Sequence, residues 1–303
     1  MNIQSLSIVV PTKNKCVNNC KFCVSRTHTN PYSDRISSCL KKRENFGFII
    51  NNHSIEYKDY FNRLQFARDN GCNVVVLTGT GEPTQNFTFL NFFSIINSKL
   101  ITPFKSIEIQ STGVFLDSEK LALLRNYGVT TISLSISNIF DNERNLDIIG
   151  VHKKLRFDLT NIISLIKKYD FNLRFSLNLI NDYDKYSVEK VLNKCKELGA
   201  DQITFRKLYK SKENKEIDKW IEENSSVNFV NEIIEFVKEN GNYLGKLPFG
   251  ASMYDIDEMS VVVDDNCMAE IKENGYIDCY KYLILRENAK LYSNWNSKAS
   301  LIF

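Results

Sequence analysis

Residues 15–26 read KCVNNCKFCVSR, so three cysteines, Cys16, Cys20 and Cys23, fall within eight positions at the spacing C-x3-C-x2-C. The other five of the eight cysteines, Cys39, Cys72, Cys195, Cys267 and Cys279, are scattered. Thiolates bind soft metals, and close spacing brings them together at little entropic cost. A structural zinc site wants four closed tetrahedral ligands. Three thiolates around an iron–sulfur cluster instead leave one iron open to a further ligand.

The elements around this cluster are read from the apolar patterning. Short β-branched runs recur at 5–10, 73–78, 106–111, 130–137, 172–180 and 201–208, separated by stretches of helical period at 57–71, 89–100, 118–128, 159–170 and 186–199. Gly71, Gly128 and Gly199 stand where helices end and the next strand begins. Such alternation, with near-continuous buried strands, implies right-handed βαβ units and a parallel sheet. Six strands fit a partial (β/α)6 barrel of TIM type, an open doubly wound sheet being the alternative. This core is expected over 1–212. A C-terminal α+β extension is expected over 213–303: helical at 213–241, loop-like at 247–255, with strands at 259–265, 276–286 and 290–295 and a hairpin at Glu287–Ala289.

Composition bounds the rest. With 303 residues, 43% apolar and 25% charged, the chain is globular, and its net charge of +3 does not by itself imply nucleic acid. The stretch 83–98 carries Gln85, Asn86, Asn91 and Asn97, too polar for a membrane span. The N-terminus lacks a basic region before its short apolar run, so no signal peptide is expected. Eight cysteines without such a signal point to reduced thiols and a cytoplasmic protein.

The first strand ends near Val10-Pro11, which puts the cysteines at the C-terminal edge of the sheet, where α/β folds bind ligands. The C-x3-C-x2-C spacing, with aromatic Phe22 before the last cysteine, resembles the signature of the radical S-adenosylmethionine (SAM) superfamily. LTGTGEPT (77–84) resembles that family's Gly-Gly-Glu-Pro stretch, with Thr80 in place of the first glycine. QSTG (110–113), Ser135 in ISLSIS, Asn178 in SLNLI and Arg206 in ITFRKL follow at successive strand ends. Ser137 departs from the pattern, standing where an Asp is often seen.

The resemblance spans about 5–210 and implies that Cys16, Cys20 and Cys23 hold a 4Fe–4S cluster. It further implies that Phe22, Thr80, Gly81, Glu82, Ser111, Thr112, Ser135, Asn178 and Arg206 contact SAM. The implied reaction is reductive cleavage of SAM to a 5′-deoxyadenosyl radical that abstracts hydrogen from substrate, with a flavodoxin- or ferredoxin-type donor supplying the electron.

The substrate is not encoded in any one motif; a small molecule or peptide is preferred. A nucleobase or tRNA would use the basic loop RKLYKSKENK (206–215), which otherwise reads as a solvated charged loop. The polar segment 24–35, with Arg26, His28 and Arg35, is placed to lid the cluster or touch substrate. No auxiliary cluster is expected, since the remaining cysteines lack CxxC spacing; Cys72 and Cys195 read as core, and Cys279 as core or as a thiol at the barrel mouth. Two non-enzymatic alternatives are a structural zinc closed by Cys39 and a redox-sensing cluster protein that does not bind SAM.

Overall fold

The computed structural model describes residues 2–12, 15–27, 41–42, 47–50, 53–226, 228–247, 251–264, 279–295 and 297–303. The strands of the first half are β1 (Asn2–Val9), β2 (Lys41–Lys42), β3 (Gly47–Ile50), β4 (His53–Glu56), β5 (Val74–Thr78), β6 (Ser106–Ser111) and β7 (Thr131–Ile136). Those of the second are β8 (Asn172–Asn178), β9 (Gln202–Arg206), β10 (Asn242–Lys246), β11 (Ser252–Ile256), β12 (Met259–Asp264), β13 (Cys279–Leu285) and β14 (Leu291–Tyr292). Between them run α1 (Val24–Thr27), α2 (Tyr57–Asp69), α3 (Phe87–Asn97), α4 (Ser118–Asn126) and α5 (Asn142–Ile149). The remaining helices are α6 (Leu159–Lys168), α7 (Val188–Glu197), α8 (Lys215–Asn224) and α9 (Asn228–Asn240).

Helix starts are set locally. Asn86, Asp117, Asp141, Asp158 and Ser187 each accept a hydrogen bond from a backbone N–H in the first turn of α3, α4, α5, α6 and α7. Each such cap is worth about 1 kcal/mol. All six expected strands form, and the helices between them form at the expected places.

They assemble into an eleven-stranded sheet of order β10-β11-β12-β9-β8-β7-β6-β5-β1-β13-β14. From β12 to β13 every neighbour is parallel; β10, β11 and β14 join antiparallel at the two ends. Among the described residues β10 and β14 do not pair, so the sheet curls without closing. The C-terminal third thus extends the parallel sheet on both sides, β12 beside β9 and β13 beside β1. Helical period and strand period cannot encode which edge a distant strand joins.

Elements outside the six-strand core differ in part from expectation. Ser252–Ile256 is a strand inside the stretch expected to be loop-like. It turns into β12 through Asp257 and Glu258, both at positive φ (52° and 69°), as a tight two-residue hairpin requires. Asp-Glu lacks the glycine that signals such a turn. The hairpin at Glu287–Ala289 does form, joining β13 to β14. A separate three-stranded antiparallel sheet, β2-β3-β4, was not foreseen.

The strands are also not near-continuously apolar. Leu6, Ile8, Ile109, Leu173, Phe175 and Phe205 face the helices and are fully buried in the core. Their alternate neighbours Ser7, Glu108, Gln110, Arg174 and Thr204 line the concave side. The barrel has an apolar coat and a polar lumen.

Candidate active site

The cysteine loop runs from the end of β1 into α1, at the C-terminal edge of the parallel strands. Cys16, Cys20 and Cys23 are free thiols and half-buried. Cys23 N donates to Cys20 O, and Arg26 N and Thr27 N to Cys23 O, which coils the last two cysteines into one turn. The Arg26 guanidinium also caps Cys20 O and Asn19 Oδ1. Burial pushes the Cys16 and Cys20 thiols up, and the nearby sulfur of Cys23 and carboxylate of Glu82 push the same way.

The loop is held from two sides. On one, Asn19 N donates to Ile149 O and Gly150 O (3.1 Å each), Lys21 N donates to Ile148 O (3.0 Å), and Asn18 bridges Val151. Gly150 ends α5 in the left-handed conformation (φ 67°, ψ 44°), and a Cβ there would stand 2.6 Å from Asn19 O. On the other side Phe22 packs against Trp220 of α8, with ring centroids 6.1 Å apart. Ser211 bonds Thr27, and Asn214 Nδ2 donates to Arg26 O.

After β5 the chain turns through Gly79, Thr80, Gly81 and Glu82. A Cβ on Gly79 would lie 2.9 Å from Val10 O, so glycine is required there by close approach to β1 rather than by φ. Glu82 is buried at 3% exposure, and its carboxylate is the hub of the site. Oε1 accepts from Thr84 Oγ1 at 2.9 Å; Oε2 accepts from Thr112 N (3.0 Å) and Thr112 Oγ1 (2.9 Å). Thr112 Oγ1 accepts in turn from Asn18 Nδ2 at 2.9 Å, and Val17 N donates to Gln85 Oε1 at 3.1 Å. Burial pushes the Glu82 carboxyl up, and these donors only partly oppose it. One carboxylate thereby joins the loop after β5 to the end of β6 and, through Thr112, to the cysteine loop.

The remaining strand ends fall in order. Ser111 ends β6, and its Oγ accepts from Gly113 N. Asn178 at the end of β8 is 5% exposed and donates to Ser135 Oγ (3.1 Å), Ile136 O (3.3 Å) and Ser137 Oγ (3.4 Å). Ser137, the departure from the family pattern, thus serves this same amide. Arg206 ends β9 in register with Asn178, and its buried Nε has no hydrogen-bond partner. Thr80 and Arg206 line a lumen cavity of about 820 Å³, within the usual range of ligand sites. Phe22 lies within the cysteine loop, Glu82 and Thr112 border it, and Gly81 stands against Thr12 just before it.

Asn18, Gln85, Gly150 and Trp220 were not singled out from the sequence as parts of this site. Asn18 had a usable signal, lying between two of the cysteines; the others come from distant elements. Cys72 and Cys195 are buried in the core, as read from the sequence. Cys279 lies on β13; His28, Arg35, Cys39 and Cys267 lie outside the described residues. Among the described residues no three His, Cys, Asp or Glu side chains meet as ligands of a single metal ion. None of the described helices is long and apolar enough to cross a membrane.

A family model described as Radical SAM superfamily matches residues 10–195. No curated protein sequence matches. Among solved structures, SuiB of Streptococcus suis bound to S-adenosylmethionine superposes at TM-score 0.60 with 14% identity, over 96% of this chain and 60% of SuiB. SuiB bound to its precursor peptide SuiA superposes at 0.56 with 15% identity, over 96% and 59%. Coproporphyrinogen III oxidase (HemN) from Escherichia coli, described as a radical SAM enzyme, superposes at 0.52 with 13% identity, over 94% and 63%. At such identities the likeness is one of fold, and the chain spans about 60% of the length of these structures. With the family matched over more than half of its residues, the chain belongs to the radical SAM superfamily, enzymes of partial-barrel fold that require an iron–sulfur cluster, SAM, a reductant and a substrate.

Proposed function

We propose that the chain reductively cleaves SAM at a 4Fe–4S cluster held by Cys16, Cys20 and Cys23, and turns the resulting radical on a small molecule in the lumen. The observation that carries this reading is the arrangement of three free, half-buried thiols beside a buried carboxylate. Their shared negative charge, once ionised, calls for a metal centre to take it up, and binding such a centre releases the thiol protons. The Cys16 and Cys23 sulfurs lie near enough to push the Cys20 thiol up, yet the three do not meet on one ion, which suits ligands of different irons. When bound, the cluster supplies one electron to the sulfonium of SAM, whose ribose carbon–sulfur bond breaks to give methionine and a 5′-deoxyadenosyl radical that takes hydrogen from substrate.

The chain's own residues then bind, orient and shield. The backbone at Thr80 and Gly81 receives the methionine amino group. Arg206, with its unpartnered buried Nε, meets the methionine carboxylate. Asn178, already fixed by Ser135 and Ser137, presents a rigid amide to the nucleoside. Ser111 and Thr112 hold the end of β6 beside it, and Phe22 under Trp220 limits water at the cysteine loop. A low-potential donor of flavodoxin or ferredoxin type supplies the electron.

A peptide substrate is a second reading. It is favoured by the edge strand β10, where Tyr243 and Leu244 are more than half exposed and extended chain can add to the sheet. In the basic loop 206–215, Lys210 pairs with Glu222 at 2.8 Å and Asp218 accepts from Ser211 N and Lys212 N, while Lys207, Lys212 and Lys215 are exposed; no specific observation there favours a nucleic acid.

Anaerobic reconstitution with iron and sulfide tests the reading. The expected product is a brown protein that yields 5′-deoxyadenosine from SAM under dithionite. Cys16→Ala, Cys20→Ala or Cys23→Ala should abolish that yield; retention of cleavage by all three overturns the assignment.

A further inference from the structure

The cysteine loop and the segment that clamps it carry one sign of charge. Residues 15–27 hold Lys15, Lys21 and Arg26, and residues 149–157 hold Lys153, Lys154 and Arg156; neither stretch contains an Asp or Glu. The two are in direct contact, through the bonds from Asn19 N and Lys21 N and the antiparallel bridge between Asn18 and Val151. Val17 and Leu155 pack on the same small apolar cluster, so Lys15 and the Lys153–Lys154 pair flank one contact.

The acids of the neighbouring helix are already engaged. Glu143 and Asp147 of α5 both pair with Arg156. Arg26 is turned onto Asn19 Oδ1 and Cys20 O, neutral groups that leave its charge uncompensated. Lys15, Lys21, Lys153 and Lys154 are exposed, and among the described residues none of them is ion-paired. The surfaces to either side are mixed instead. Lys212 and Lys215 at the start of α8 stand with Glu213 and Glu216, and the exposed Phe115 after β6 is followed by Asp117 and Glu119.

This cationic face lies beside the thiols and outside the lumen. Lys15 directly precedes Cys16, and Lys21 directly follows Cys20. Val24 and Ser25 of the same loop line the lumen, whereas none of the four lysines does. A partner seated here would reach the thiol loop without blocking the route of a substrate.

We infer that Lys15, Lys21, Lys153 and Lys154 form the docking face for an acidic electron-carrier protein. This deepens the radical SAM reading above and rests on it for the need of a reductant. A patch of one sign speeds encounter with a partner of the other and orients it on arrival. The half-buried Val17 and Leu155 add apolar contact between the lysines. A nucleic acid fits less well, because Phe22, the aromatic of this loop, is turned to Trp220 and offers bases no free ring to stack on.

Anaerobic calorimetry on the reconstituted full chain tests this, with an acidic flavodoxin, an acidic 2Fe–2S ferredoxin and a single-stranded RNA oligonucleotide as probes. At least one carrier should bind saturably, and its affinity should fall severalfold between about 50 and about 300 mM NaCl as the charges are screened. The double variant Lys153→Glu, Lys154→Glu reverses two of the four charges without touching the cysteine loop and should weaken binding about tenfold. The double variant Lys99→Glu, Lys168→Glu makes the same change of net charge at the opposite edge of the sheet, where α3 and α6 end, and should bind near wild type. If the first double does not fold, Lys21→Gln replaces it, with a loss of about threefold. No saturable binding of either carrier, indifference to salt, a folded lysine variant that binds as wild type, equal weakening in the two doubles, or tighter binding of the RNA each overturns the inference. Yield of 5′-deoxyadenosine under dithionite, which needs no docked protein, separates the two readings. Lysine-dependent carrier binding without SAM cleavage counts against the proposed reaction alone, and cleavage without carrier binding against the docking face alone.

Discussion

Replacing Gly150 with alanine tests whether the cysteine loop depends on the end of α5. An alanine at φ 67° pays about 1 kcal/mol for the left-handed conformation. The new Cβ would stand 2.6 Å from Asn19 O and 2.8 Å from Asn19 C, so the backbone of the cysteine loop must move. Moving it strains or breaks the bonds from Asn19 N and Lys21 N, at about 1 kcal/mol each. The sum is about 3 kcal/mol, worth roughly 5 °C in Tm if it is felt globally. If the loop detaches alone, Tm moves less and the damage is read in iron and labile sulfide per chain. Gly128→Ala is the matched control. It has a similar φ of 84°, but its Cβ would meet nothing nearer than Ile107 Cδ1 at 3.6 Å. The control should lose about 1 kcal/mol and keep its iron; Gly150→Ala should lose most of its iron after reconstitution. Equal iron and equal Tm in the two variants would refute the argument that this contact seats the thiols.

Thr112→Val removes the hydroxyl between Glu82 and Asn18 and leaves a buried carboxylate oxygen short of one donor; urea denaturation should show a loss of about 1–3 kcal/mol. Asp182 is pushed up by burial, but Arg144 and Asn138 outweigh that and hold its carboxyl below the ordinary 3.8. Its contribution is therefore full above the unfolded value and lost as pH falls through the lowered one. Asp182→Asn should flatten the acid limb of the stability–pH curve below about pH 4 and cost about 1 kcal/mol or less at neutral pH; an unchanged acid limb would count against the pairing. Trp220→Ala uncovers Phe22, and the brown absorbance of the reconstituted protein should bleach faster in air than in wild type. Equal bleaching would show that α8 does not shield the loop.

Much of the fold could be read from the pattern because its main signals are local. Strand and helix periods, the glycines after α2, α4 and α7, and the thiol spacing are each properties of short stretches. Some local signals were present but weak. Asp141 and Gly150 bracket α5 as cap and stop, yet the helix has only eight residues. The Asp257-Glu258 turn lacks glycine, and so β11 was read as loop. Near-continuous burial was expected of the strands because parallel sheets are usually covered on both faces. Here one face lines a polar lumen, so SIEIQS, with Glu108 and Gln110 at alternate positions, was the visible clue.

The chain's order of residues alone determined that three thiols, a glycine-rich turn and a series of polar strand ends would be available to one edge of a parallel sheet. That follows from spacing, since neighbours along the chain stay neighbours in space. Only the folded arrangement decided that Glu82 would join three of those segments and that α5 and α8 would clamp the cysteine loop. It alone placed β12 beside β9 and β13 beside β1, at opposite flanks of the sheet. Such contacts join residues tens to hundreds of positions apart, and their partners are chosen by sheet order and by which way each strand turns its alternate side chains, not by any local pattern.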